Sequence, residues 1–222
     1  MPDIQAFMED SLCMEEGCKG LLVVLSGPSG VGKGTVCRRL IAENPNMALS
    51  ISATTRQRRE TEQDGKDYFF KSKEEFARMI QEGEFLEYMR VFGTDSYGTP
   101  RKFVMDKLDA GEDVILEIDV QGGLRVKEVC TEAVLVFMAP PSMDELKRRL
   151  IDRGTETEQS IAKRTEVAYT EMQCISYYDY VVINSTVEQA VRGIEAIVHA
   201  EKSRVARCED LINLLLEGSD AL

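Results

Sequence analysis

Residues 26–36 read SGPSGVGKGTV and lie between an apolar run, GLLVVLSG at 20–27, and a helical pattern over Lys33–Glu43. No other stretch narrows the fold so far. A strand that ends in a glycine-rich turn and re-emerges as a helix aims successive backbone N–H groups and a helix N-terminus at one place, which suits phosphate. Gly27 to Lys33 fits the loop pattern G-x-x-x-x-G-K, and Lys33 would reach the terminal phosphates of a nucleoside triphosphate. The residue after that lysine usually carries a hydroxyl that helps to hold magnesium. Here it is Gly34, and the hydroxyl of Thr35 comes one place late. The candidate triphosphate site is Gly27, Pro28, Ser29, Gly30, Val31, Gly32, Lys33, Gly34 and Thr35, with Thr35 better suited to a phosphate oxygen than to the metal.

The remaining chain keeps the rhythm that the loop begins. Short apolar runs recur at 47–52 (MALSIS), 113–119 (DVILEID), 133–139 (AVLVFMA) and 180–184 (YVVIN), with helical patterns at 122–129 and from Val187 to Arg207. Such runs, joined by helices, predict an α/β fold with a parallel sheet covered on both faces. Two stretches interrupt it. Residues 53–101 are polar and rich in Arg, Tyr and Gly, with strand-like pieces DYFF and EFLEY; residues 142–172 are helical and dense in charge. In an α/β core these are the places for a binding lobe and a closing lid. The expected division is an N-terminal extension 1–19, a domain 20–210 whose core is 20–52, 102–141 and 173–210, and a tail 211–222.

Composition limits the partners. A net charge of −12, from 27 basic and 39 acidic residues, argues against a nucleic-acid backbone or an anionic membrane, while a local arginine cluster can still hold a small phosphorylated molecule. Cys13, Cys18, Cys37, Cys130, Cys174 and Cys208 lack a tight metal-ligand spacing, and His199 is the single histidine, so no histidine-containing zinc site is expected. The thiols read as reduced and the setting as cytoplasmic. Residues 1–18 have neither a basic n-region nor a long apolar run, and no stretch is long enough to span a bilayer.

The G-K-G-T ending resembles that of adenylate-kinase-like enzymes and points to an acceptor site elsewhere in the chain. In the first insertion, SATTRQRR (52–59), GKDYFF (65–70), EFLEY (84–88) and YGTP (97–100) follow one another. With these segments, LEIDVQG (116–122), RGTETE (153–158) and VVIN (181–184), the chain closely resembles guanylate kinase from about Gly20 to about Arg204. The resemblance implies a P-loop kinase core with an inserted GMP-binding lobe (53–101) and a helical lid (142–172). It implies transfer of the γ-phosphoryl group of ATP to GMP, with Mg2+ accompanying ATP.

The roles it implies agree with the chemistry of the residues. Arg56 and Arg59 would pair with the phosphate of GMP, since a guanidinium offers a planar fork to phosphate oxygens, and Tyr68 and Tyr97 would add hydroxyl donors. Glu87 would read guanine, whose N1–H and 2-amino group are two donors that a carboxylate matches. Ser52 and Thr99 would complete the base contacts. Glu117 and Asp119, two apart on a strand, share a face; the resemblance implies that Glu117 belongs to the GMP site and that Asp119 orders magnesium through water. The family often has Asp where this chain has Glu117. Arg149, Arg153 and Arg164 match lid arginines that would neutralise the transferring phosphoryl group, and Asn184 matches a contact to the adenine of ATP. Lys33, Arg56, Arg149 and Arg164 are the catalytic candidates.

Two other readings stand beside this one. Guanylate-kinase-like domains also serve as non-catalytic protein-binding modules, which lack much of the ATP machinery kept here. A kinase for a different monophosphate is the second, and Glu87 with Ser52 argues for guanine. No obligate protein partner is expected.

Overall fold

The computed structural model describes residues 20–91, 95–152, 158–208, 212–213 and 215–216. Its elements alternate along the chain: β1 (Leu22–Ser26), α1 (Lys33–Glu43), β2 (Met47–Leu49), β3 (Ala53–Thr54), β4 (Phe69–Phe70), α2 (Lys73–Gln81), β5 (Phe85–Val91), β6 (Asp95–Pro100) and α3 (Arg101–Asp109). There follow β7 (Asp113–Glu117), α4 (Val120–Val129), β8 (Val134–Ala139), α5 (Met143–Asp152), α6 (Glu158–Gln173), β9 (Tyr180–Ile183) and α7 (Val187–Lys202).

The five apolar runs form one parallel sheet in the order β2-β7-β1-β8-β9. Alternate residues of β1 explain why the run is continuously apolar. Val23 and Leu25 enter the cluster with Val36, Leu40, Val136, Leu146 and Ile194, while Leu22 and Val24 enter the opposite one with Val104, Leu108, Val126 and Leu135. Helices therefore cover both faces, as a parallel sheet requires. Among the described residues no helix is long and apolar enough to cross a membrane, and Cys37, Cys130 and Cys174 are free thiols.

The expected strand at 47–52 stops at Leu49. Ser50 still donates its N–H to Ile115 at 2.9 Å, whereas the carbonyl of Ser52 already accepts from Phe69 of a different sheet at 2.9 Å. MALSIS is thus a crossing between two sheets. The second sheet has the order β4-β3-β6-β5 and packs Phe76, Met79 and Phe85 between itself and α2. A capping box starts α2, Ser72 and Glu75 each accepting from the other's backbone N–H. At the far end, the helix expected to reach Arg207 ends at Lys202; Arg204 takes an extended conformation and Val205–Arg207 form a 3-10 turn.

The charge-dense stretch yields α5 and α6. Leu146 and Leu150 of α5 and Ala168 of α6 are fully buried, and Leu146 and Ala168 belong to the same cluster as the loop residue Val31. The two helices are thereby set against the turn that follows β1.

Candidate functional site

The turn after β1 owes its shape to glycines. Gly30 and Gly32 have φ of 91° and 101°, a left-handed region that side chains resist. At Gly27 the constraint is space as well, because a Cβ there would lie 2.1 Å from the backbone oxygen of Met138. The loop is pressed onto β8, and the Val31 N–H turns back to the Pro28 carbonyl at 3.2 Å.

Val31 is fully buried, and its carbonyl needs donors. It has two. Asn184, at the end of β9, donates its side-chain amide at 2.7 Å, and Arg149 of α5 donates at 3.3 Å. Arg149 also reaches the carbonyl of Asn184 at 3.0 Å and is steadied by Glu145 at 2.8 Å. Lys33 folds its ammonium onto the carbonyls of Gly27 and Pro28. Burial lowers its pKa, while the charges of Glu171, Glu117 and Asp119 oppose that fall.

Gly34 lies beside the acid at the end of β7. A Cβ at that position would lie 3.2 Å from a carboxylate oxygen of Glu117, a tight contact that a shift of a few tenths of an ångström by that side chain would relieve. Glu117 is exposed as a residue, yet desolvation of its carboxyl by the surrounding protein raises its pKa, and Lys33 and Arg38 pull it back. Thr35 is exposed and accepts a bond from Arg38 at 3.4 Å. Asp119, two residues along, caps α4 by accepting the Gly122 N–H at 2.9 Å.

Across the cleft, β5 and β6 bring Glu87 opposite Thr99. Both are buried, and the Thr99 hydroxyl donates to Glu87 at 2.8 Å. Burial pushes the Glu87 carboxyl up to about 7, against the pull of the Thr99 hydroxyl, and the negative charge of Asp119 adds to the rise. An acid held there with no ion pair among the described residues, and only the more distant charge of Arg125 pulling on it, is poised to match donors on a ligand. Ser52 is half-buried at the crossing between the sheets.

Arg56, Tyr68 and Tyr97 gather at the mouth of this lobe. The Arg56 guanidinium lies 5.4 Å from the centre of the Tyr68 ring, and the rings of Tyr68 and Tyr97 stand edge to face at 6.0 Å. Arg56 is paired with Glu62 through bonds of 2.8 and 3.1 Å, which raise its pKa. Arg59 has an exposed side chain, and its backbone N–H bonds Glu62 at 2.9 Å. Arg164 is half-buried on α6, and Arg153 lies outside the described residues.

Sequence reasoning passed over three acids that shape the site. Glu62 holds Arg56, Glu145 holds Arg149, and Glu171 of α6 keeps a buried carboxylate oxygen with no hydrogen-bond partner, its pKa raised by burial. Each sits in a charge-dense stretch, where nothing in the spacing separates a buried carboxylate from a solvated one.

Comparisons with known proteins agree with one another. The family model described as guanylate kinase matches residues 19–201. The guanylate kinase of Caldanaerobacter subterraneus subsp. tengcongensis is 55% identical over 201 residues, spanning 90% of this chain and 97% of that protein. The guanylate kinase of Clostridium tetani is 54% identical over 200 residues, spanning 90% and 95%. Among solved structures, the guanylate kinase from Anaplasma phagocytophilum superposes with a TM-score of 0.72 at 34% identity, over 89% of this chain and 95% of that one.

Proposed function

This chain belongs to the guanylate kinase family, and we propose from that premise how its residues divide the work. It is a nucleoside monophosphate kinase that transfers the γ-phosphoryl group of ATP to GMP, giving ADP and GDP. ATP binds on residues 27–35 and GMP in the lobe of residues 53–101. The lid, residues 142–172, closes over both. Residues 1–19 and 211–222 flank the domain, and the setting is the cytoplasm.

The buried Glu87–Thr99 pair carries the acceptor assignment. Glu87 takes the two donors of guanine, with Thr99 fixing its orientation and Ser52 beside it. Adenine would turn the lone pair of N1 toward the carboxylate and lacks the 2-amino group. Arg56 leaves Glu62 for the GMP phosphate, joined by Arg59, Tyr68 and Tyr97. Lys33 leaves the loop carbonyls for the terminal phosphates of ATP, and Arg149, Arg153 and Arg164 offset charge on the phosphoryl group in flight. The attacking phosphate is already anionic, so no side chain acts as general base. Catalysis is positioning and electrostatic stabilisation, with water excluded on closure.

The carboxylates fit a magnesium ion carried in with ATP. Among the described residues no cluster of three ligating side chains forms a metal cage, and the Glu117 carboxylate lies beside Gly34. Hard carboxylate oxygens suit magnesium, which keeps several waters when protein ligands are few. Asp119 and Glu117 would hold those waters, and the ion supplies charge neutralisation on the phosphates when bound.

Release of ADP, measured with GMP, AMP, UMP and CMP as acceptors, tests this reading. A site built to hydrogen-bond its substrate should prefer GMP over AMP by roughly 10⁴–10⁵. Near-equal turnover of the two would overturn it.

A further inference from the structure

The strand that carries Glu87 belongs to two cores at once. Phe85 packs with Ala53, Phe76 and Met79 inside the lobe of residues 53–101, whereas Leu86 enters the main core with Val104, Leu108 and Val126. Glu87 therefore sits at the joint between the lobe and the main sheet. Leu86 fixes the chain on one side of it. On the other side, the guanidinium of Arg125 on α4 donates to the Tyr88 carbonyl at 2.6 Å.

One face of α4 makes both contacts with this stretch. Gly122 and Arg125 are three residues apart in that helix and are neighbours on its surface. A Cβ at Gly122 would lie 3.2 Å from Oε2 of Glu87, so the carboxylate rests close to the first turn. Nearly one turn on, Arg125 holds the backbone one residue past Glu87. Arg125 is exposed while Val126 beside it is fully buried, so what the arginine contributes is its bond rather than packing. A hydrogen bond from a charged donor is roughly twice as strong as a neutral one. The same charge acts on the Glu87 carboxyl, against the rise in pKa that burial causes.

We infer that Arg125 is a positioning residue for base recognition: by tying the Tyr88 carbonyl to α4, it sets where the Glu87 carboxylate meets guanine. It acts through Glu87 and makes no contact of its own with the base. Without it the strand would be anchored to the main core through Leu86 alone, and the carboxylate would be free to shift with the lobe. The inference deepens the reading that Glu87 takes GMP and rests on it.

Steady-state kinetics of the full chain, with GMP and AMP as acceptors, tests it. In Arg125→Ala the KM for GMP should rise about tenfold, the effect of losing one charge-assisted hydrogen bond. The preference for GMP over AMP should shrink by the same factor, while the KM for ATP and the melting temperature hold. Arg125→Lys keeps a charged donor and should recover most of the loss. In a Glu87→Gln background, Arg125→Ala should change GMP binding, read by calorimetry, by less than about twofold, since a positioning effect vanishes with the group it positions. An unchanged KM for GMP in Arg125→Ala overturns the inference, and so does a parallel rise in the KM for ATP. An equal loss in the Glu87→Gln background also overturns it, because the arginine would then hold the whole lobe or meet the ligand itself. If the unmodified protein showed no preference for GMP over AMP, the acceptor reading would fall and this inference with it. A preference that survived Arg125→Ala intact would overturn this inference alone.

Discussion

The Thr99 hydroxyl donates to the Glu87 carboxylate at 2.8 Å, across paired positions of β5 and β6, with both residues buried. The bond orients an acid that has no cation at contact. Glu87 keeps one oxygen on Thr99 and turns the other toward Gly122 at the start of α4.

Replacing Thr99 by Val should loosen that orientation. A buried acceptor left without its donor costs about 1–3 kcal/mol. The KM for GMP should rise about tenfold, an amount that corresponds to roughly 1.4 kcal/mol, while the KM for ATP stays put. Steady-state kinetics with each nucleotide varied in turn would show the split.

The raised pKa of Glu87, about 7, gives two pH effects of opposite use. Below that pH the neutral acid offers a donor where guanine also has one, so the KM for GMP should climb between pH 8 and pH 6 and stay flat in Glu87→Gln. For stability, a carboxyl whose folded pKa lies above its unfolded value of 4.5 favours the fold below pH 4.5 and loses that contribution as pH rises through 7. Relative to the native acid, Glu87→Gln should therefore be more stable at pH 8, by about 3 kcal/mol, with most of the gain gone at pH 5. Thermal melts at the two pH values would read it.

Arg56 is held by Glu62 in the absence of ligand. Glu62→Gln removes a competitor for the same guanidinium, so the KM for GMP should fall a few-fold. A rise instead would mean that Glu62 is needed to place Arg56.

Asn184 is bonded to the phosphate loop through the Val31 carbonyl. Asn184→Ala should weaken binding of tripolyphosphate, which has no base, as well as binding of ATP. Calorimetry with both ligands separates this from a contact to adenine alone, which would spare tripolyphosphate.

The five strands of the main sheet were legible because burial on both faces demands unbroken apolar runs, and Val23 with Val24 shows the two faces side by side. The small sheet was not, since β3 and β4 have two residues each and leave no period to read. Gly34 looked like a departure from a motif until Glu117 was seen beside it. Glu87 was set apart from Glu84 in EFLEY by resemblance alone, for an acid on a strand otherwise reads as outward-facing. Glu171 carried no signal at all, as its meaning depends on which face of α6 meets the core.

In the order β2-β7-β1-β8-β9, the strand that feeds the phosphate loop has both neighbours later in the chain. A nascent chain that has emerged as far as β2 therefore holds β1 with no strand to pair with. It must wait for Asp113–Glu117 to follow, which takes several seconds at roughly 5–20 residues per second. The pairings available in that interval are those among β3, β4, β5 and β6. The topology thus lets the small sheet pair before β1 can, and the apolar β1 is the segment that a chaperone would have reason to shield.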